Sequence, residues 1–170
     1  KSIGYKTINA RAETVATALD LGIGYFDTAP RYGHGLSERR LGGLLPPEAV
    51  VSSKVGRVLT SIERPPPGTV RHGFVDGDPF EEHFDYTYDG VMRSFEASVA
   101  RLRRDCIDIL YAHDIGGLTH GTEAERHFRD FMSGGLMAMQ VLKDEGRVKA
   151  IGLGVNEEAV CHDVLAGGDI

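Results

Sequence analysis

The sequence predicts an α/β protein built on a parallel sheet, and three observations predict it. Strand-like apolar runs alternate with helical stretches in four successive strand–helix units. Those runs are nearly continuous in apolar residues, the pattern of strands covered on both faces. Residues able to hold or move a proton stand at or just past the ends of the runs: Asp27 and Tyr32 in FDTAPRYG, Lys54 in VVSSKVG, His113 in LYAHD. Parallel α/β enzymes gather their catalytic side chains at the carboxyl ends of the strands.

The elements follow in order. Asn9 is placed to cap a helix over about 10–21, with Val15, Ala16 and Leu19 on one face and Gly22 as its stop. GIGYFDTA reads as the first strand. Ser37 is expected to cap a short helix carrying Leu41, Leu44 and Leu45, ended by Pro46 and Pro47. AVVSSKV is the second strand. Residues 57–88 then change character, with Pro65, Pro66 and Pro67, several glycines and aromatics without period. A stretch of this kind is either an ordered loop on the substrate side or a flexible insertion; its Phe, Tyr and His content favours the first. Asp89 is placed to cap a helix over 90–104 with Val91, Phe95, Val99 and Leu102 at helical spacing. CIDILYAHD is the third strand. Thr122 and Glu125 read as a capping box, and the helical pattern runs on to Glu145 and Gly146. The pair Gly134–Gly135 is expected to divide it in two, since glycine is costly in mid-helix. VKAIGLGVN is the fourth strand and 157–166 the last helix.

Bulk properties narrow the class. At 170 residues, 41% hydrophobic and 26% charged, the chain has the size and composition of one globular domain spanning 1–170. A formal charge of -6 argues against nucleic acid or an anionic membrane as the main partner. No apolar run approaches the ~18–20 residues of a membrane span. Cys106 and Cys161 share no motif spacing and read as reduced packing residues of a cytoplasmic protein. The chain opens with KSIGYKT and stops at LAGGDI, which reads as part of something longer.

The four residues make chemical sense together. A phenol holds its proton at neutral pH but is a poor acid until a nearby cation stabilises the phenolate. At about 4 Å and an effective dielectric near 20 that attraction is ~4 kcal/mol. Lys54 suits this part beside Tyr32, Asp27 would hold Lys54 in place, and His113 would donate a hydrogen bond to a substrate oxygen. Positioned proton transfer of this kind contributes about 10²–10⁴ in rate. None of the four supplies hydride, so carbonyl reduction or alcohol oxidation needs a nicotinamide cofactor beside them. Taken singly, each also reads as a loop carboxylate, a packed ring, a surface lysine or a core histidine; four of four at strand ends point to a site. A Schiff-base aldolase using Lys54 and a non-catalytic scaffold are the other readings of the same residues. His34, His72 and His120 fall in loops of the same rim, either facing substrate or solvated.

The segment ALDLGIGYFDTAPRYGHGLSERRLGGLL resembles the aldo-keto reductase signature G-x-x-x-FDTA-x-x-YG-x-x-SE-x-x-LG. VSSKVGR is similar to that family's Lys strand, IDILYAHDIG to its His strand and VKAIGLGVNE to its nicotinamide-contacting strand. FDYTYDGVMRSFEASVARL and YAHDIG look most like the branch that oxidises aldoses, the D-threo-aldose and L-fucose dehydrogenases. The resemblance implies a partial (β/α)8 TIM barrel, strands two to five of eight, incomplete at both ends. It implies a catalytic tetrad of Asp27, Tyr32, Lys54 and His113, and NADP or NAD as cofactor. Asn156 would bond the nicotinamide carboxamide, in addition to capping a helix, and Asp27 would lie near the ribose. The implied substrate is a small carbonyl compound or sugar, with no metal, although His113, Asp114 and His120 taken alone read as a candidate metal set. The segment that distinguishes NADP from NAD lies outside this stretch of the family.

Overall fold

The computed structural model describes residues 12–167, so the expected cap at Asn9 lies outside the described residues. Helix α1 (Ala12–Asp20) seats Val15 in the core. The chain then turns at Gly22, whose φ of +82° favours glycine. Strand β1 (Tyr25–Asp27) follows. Helix α2 (Leu36–Leu41) starts from Gly35, not from Ser37. Ser37 lies inside the helix and accepts a hydrogen bond from Thr28 Oγ1 at 2.8 Å, so its hydroxyl ties α2 to the end of β1.

Strand β2 (Val50–Val55) is buried along most of its length. The stretch expected to be without period is ordered as two antiparallel pairs: β3 (Arg57–Ser61) with β6 (Phe80–Phe84), and within their loop β4 (Val70–Arg71) with β5 (Phe74–Val75). Arg57 pairs with Phe84 and Leu59 with Glu82.

Helix α3 (Tyr88–Leu102) is capped by Thr87, not Asp89. The Thr87 hydroxyl accepts from the Gly90 N–H at 3.1 Å, and Asp89 sits in the first turn, where its charge favours the helix dipole. Strand β7 (Ile107–His113) leads to α4 (Gly117–His120). Thr122 falls in a 3₁₀ turn (Gly121–Glu123), so the expected capping box does not form.

Helices α5 (Ala124–Asp130) and α6 (Leu136–Asp144) are joined, not divided, by a π-helical turn over Phe131–Gly135. A Cβ on Gly135 would lie 2.3 Å from the Tyr86 carbonyl oxygen; this glycine allows close approach rather than breaking the helix. Strand β8 (Val148–Gly154) and helix α7 (Glu158–Gly167) close the described chain.

Strands β1, β2, β7 and β8 form one parallel sheet, in that order. Helix α3 packs on β2, α6 on β8, and the two helices on each other. Val51, Val55, Phe95, Leu102, Ile107, Leu110, Met139 and Leu142 fill the space between sheet and helices. Parallel pairing in chain order brings the carboxyl ends of all four strands to one rim.

Candidate active site

Asp27 is the last residue of β1, His113 the last of β7, and Lys54 the last but one of β2. Neighbouring strands therefore present an acid, an amine and an imidazole side by side. Tyr32 enters from the turn after β1, its N–H bonded to the Ala29 carbonyl at 3.0 Å. Lys54 Nζ donates to Asp27 Oδ2 at 2.7 Å and to the Thr28 carbonyl at 2.8 Å. The second Asp27 oxygen accepts from Ser52 Oγ at 2.6 Å, and Tyr25 Oη lies 2.9 Å from that hydroxyl. The ammonium is thereby fixed 4.8 Å from the centre of the Tyr32 ring. The ring of His113 meets that of Tyr32 edge-on at 6.0 Å. The four expected residues converge.

His113 is buried, and burial, aided by the Arg57, Lys54 and Arg31 cations, lowers its pKa to about 2. It is therefore a neutral imidazole. Its Nδ1 is buried with no hydrogen-bond partner among the described residues, whereas Nε2 lies 3.4 Å from Asp114 Oδ2. The carboxylate favours the proton on Nε2, which gives the site an N–H donor beside Tyr32. Tyr86 supports this arrangement from below. Its hydroxyl donates to the His113 carbonyl at 2.6 Å and bonds His120 Nε2 at 3.0 Å. Gly56 leaves room for the Tyr86 ring; a Cβ there would sit 2.1 Å from it. Burial pushes the Tyr86 phenol up, so it stays protonated as a donor.

Two of the three loop histidines, His34 and His120, are packed among other rings instead of solvated. His34 is fully buried against His72 and Phe74, with ring centres at 5.4 and 6.0 Å, and burial lowers its pKa. His120 packs on Phe84 at 4.4 Å and His127 at 4.2 Å, and burial brings it to about 4. His72 alone is exposed, bonded to Glu81 at 2.9 Å. Asn156 is exposed beyond the end of β8, its Nδ2 3.4 Å from Asp114 Oδ1. Helix α7 begins at Glu158, so the residue that directly precedes the helix is Glu157.

Sequence reasoning gave no part in the site to Arg57, Glu82 and Tyr86, and weighed Asp114 only as a metal ligand. Arg57 is buried and donates to Glu82 Oε2 at 3.2 Å and to Asp114 Oδ2 at 3.0 Å; Arg31 pairs with the other Glu82 oxygen. The alternation Phe80–Glu82–Phe84 was the available signal, since residues two apart share a strand face.

The geometry accords with comparisons to known proteins. Residues 3–165 match the model of the aldo/keto reductase family. The chain is 45% identical over 163 residues to pyridoxal 4-dehydrogenase from Microbacterium luteolum, covering 89% of this chain and 47% of that protein. It is 42% identical over 144 residues to D-threo-aldose 1-dehydrogenase from a Pseudomonas species, covering 81% of this chain and 41% of that protein. It thus spans about half the length of the curated relatives it matches. An aldo-keto reductase from Bacillus halodurans, solved in its holo form, superposes with a TM-score of 0.67 at 23% identity over 94% of this chain and 45% of its own. The four parallel strands with their helices are therefore part of a (β/α)8 barrel. With the family signature matched along nearly its whole length and the acid, phenol, amine and imidazole gathered at one strand-end rim, the chain belongs to the aldo/keto reductase family.

Proposed function

We propose that the chain carries the proton-transfer site of an NADP- or NAD-dependent oxidoreductase acting on an aldose or small aldehyde. The observation that carries this reading is the Lys54 ammonium held 4.8 Å from the Tyr32 ring centre by two acceptors that leave it little freedom. In reduction, Tyr32 gives its proton to the substrate oxygen and Lys54 stabilises the phenolate that remains. In oxidation of a sugar hemiacetal to a lactone, Tyr32 takes the hydroxyl proton instead. His113 holds the substrate oxygen through Nε2–H, and its neutrality keeps it a donor without making it a competing acid.

The residues present fit a nicotinamide: the set moves protons only, and the amide of Asn156 and the half-exposed carboxylate of Asp27 stand on the same rim. When bound, the cofactor supplies or accepts the hydride. Asn156 would hold its carboxamide and Asp27 would lie near its ribose. The names of the two curated relatives support an aldehyde or aldose as substrate. The Schiff-base reading has less support, because Lys54 Nζ is already engaged at 2.7 and 2.8 Å.

Titrating the full-length protein with NADPH and with NADH should quench or shift nicotinamide fluorescence. Unchanged emission with both would overturn the reading. Tyr32→Phe should lower kcat by about 10²–10⁴ while cofactor binding persists.

A further inference from the structure

Beside the tetrad lies an open cleft of about 360 Å³, within the range of small-molecule sites. Its walls are Arg31, Arg57, Glu82, Asp114, Phe84 and Thr119, with His72 at the edge. It adjoins the chemistry directly: Arg31 precedes Tyr32, and Asp114 follows His113. Its charges run in an alternating chain from Arg31 to Glu82 to Arg57 to Asp114. Two guanidiniums and two carboxylates leave the cleft without net charge, and both guanidiniums are already engaged. Behind it, Lys54 is likewise paired with Asp27. His72, the remaining basic group, is bonded to Glu81.

Such a wall is poorly made for an anion. A phosphate entering the cleft would face Glu82 and Asp114, and the positive charge of each arginine it meets is already matched by one of those carboxylates. A neutral compound with several hydroxyls meets the opposite situation. The carboxylate oxygens have lone pairs left to accept O–H donors, Thr119 both donates and accepts, and the half-exposed Phe84 ring offers an apolar face to C–H groups. The Phe84 ring is itself fixed by the Arg57 guanidinium, 4.6 Å from its centre.

Resting on the oxidoreductase reading above, we propose that Glu82 and Asp114 are specificity-determining residues. They select an uncharged, polyhydroxylated carbonyl compound over its phosphorylated counterpart. Selection comes from like-charge repulsion at a site whose cations are already matched.

The test uses the full-length protein and two substrate pairs, the members of each differing only by a phosphate. These are D-glyceraldehyde and its 3-phosphate in reduction, and D-galactose and its 6-phosphate in oxidation. In each pair that is turned over, kcat/KM for the neutral member should exceed that for the ester at least about ten-fold. Glu82→Gln should narrow this ratio at least about three-fold by removing one negative charge. Asp114→Asn carries the same expectation should the first variant fail to fold. A wild-type ratio near one or in favour of the ester overturns the proposal, as does a ratio unchanged in the variants. A protein that binds cofactor yet turns over none of the four compounds overturns it too. Failure to bind NADPH or NADH, in contrast, removes the oxidoreductase reading beneath it.

Discussion

His113 joins chemistry to stability in one side chain. An imidazole in the unfolded chain titrates near 6.5, whereas in the folded protein burial lowers His113 to about 2. Between those values the unfolded state binds the extra proton, so stability falls as pH drops below 6.5 and continues to fall toward 2. The slope from one such group is up to about 1.4 kcal/mol per pH unit. His120, lowered to about 4, and His34 and His127, also lowered by burial, act in the same direction. Thermal unfolding of the full-length protein should therefore show the midpoint dropping between pH 6.5 and 5. His113→Gln should flatten that drop; an equally steep drop in the variant would assign it to other groups. The same low value predicts that His113 contributes no acid limb near pH 6.5 to the rate profile. These features were out of reach of the sequence. The motif placed His113 on the rim, but the Arg57, Lys54 and Arg31 cations around it come from other elements, and only folding brings them together.

At the scale of elements, the β3–β6 pair is the part least legible in the sequence and most telling for the site. The prolines and glycines at 65–68 and 73–79 hid two short strands whose alternation is only five residues long. The long strands β2, β7 and β8 and the helix at Tyr88–Leu102 were readable because burial imposes a pattern over six or more residues. The π-helical turn was misread for a different reason. Gly134–Gly135 carries the mark of a helix stop, yet the pair answers to a tertiary contact with the backbone of Tyr86 and Tyr88. The β3–β6 pair is bound to the sheet through Arg57, which is buried between two carboxylates. Removing the cation leaves Asp114 without its guanidinium and Glu82 with Arg31 alone, and breaking a buried pair of this kind costs about 3–5 kcal/mol. Arg57→Leu should lower stability of the full-length protein by about that amount in urea unfolding. A loss below 1 kcal/mol would mean that the chain of charges is not structural.

Over the whole molecule, the described sheet has two open edges, β1 and β8. Tyr25 in β1 is 47% exposed, as are Ile23 just before it (50%) and Val50 at the start of the adjoining β2 (40%). Unpaired strand edges with apolar side chains are templates for association. A polypeptide limited to residues 1–170 should therefore associate with rising concentration in sedimentation experiments and bind a hydrophobic dye, whereas the full-length protein should do neither at these strands. A monomeric, dye-silent 170-residue chain would show that the edges are protected by other means. Strand order has a separate consequence. Because β1, β2, β7 and β8 lie in the sheet as they lie along the chain, each strand leaving the ribosome meets an edge already laid down by its predecessor. Each pairing closes only the loop of its own intervening segment, and within the described sheet each strand pairs with the next one in chain order. Asp27, Lys54 and His113 are thus expected to come into line one after another during synthesis, so that the strand-end rim takes shape as translation proceeds.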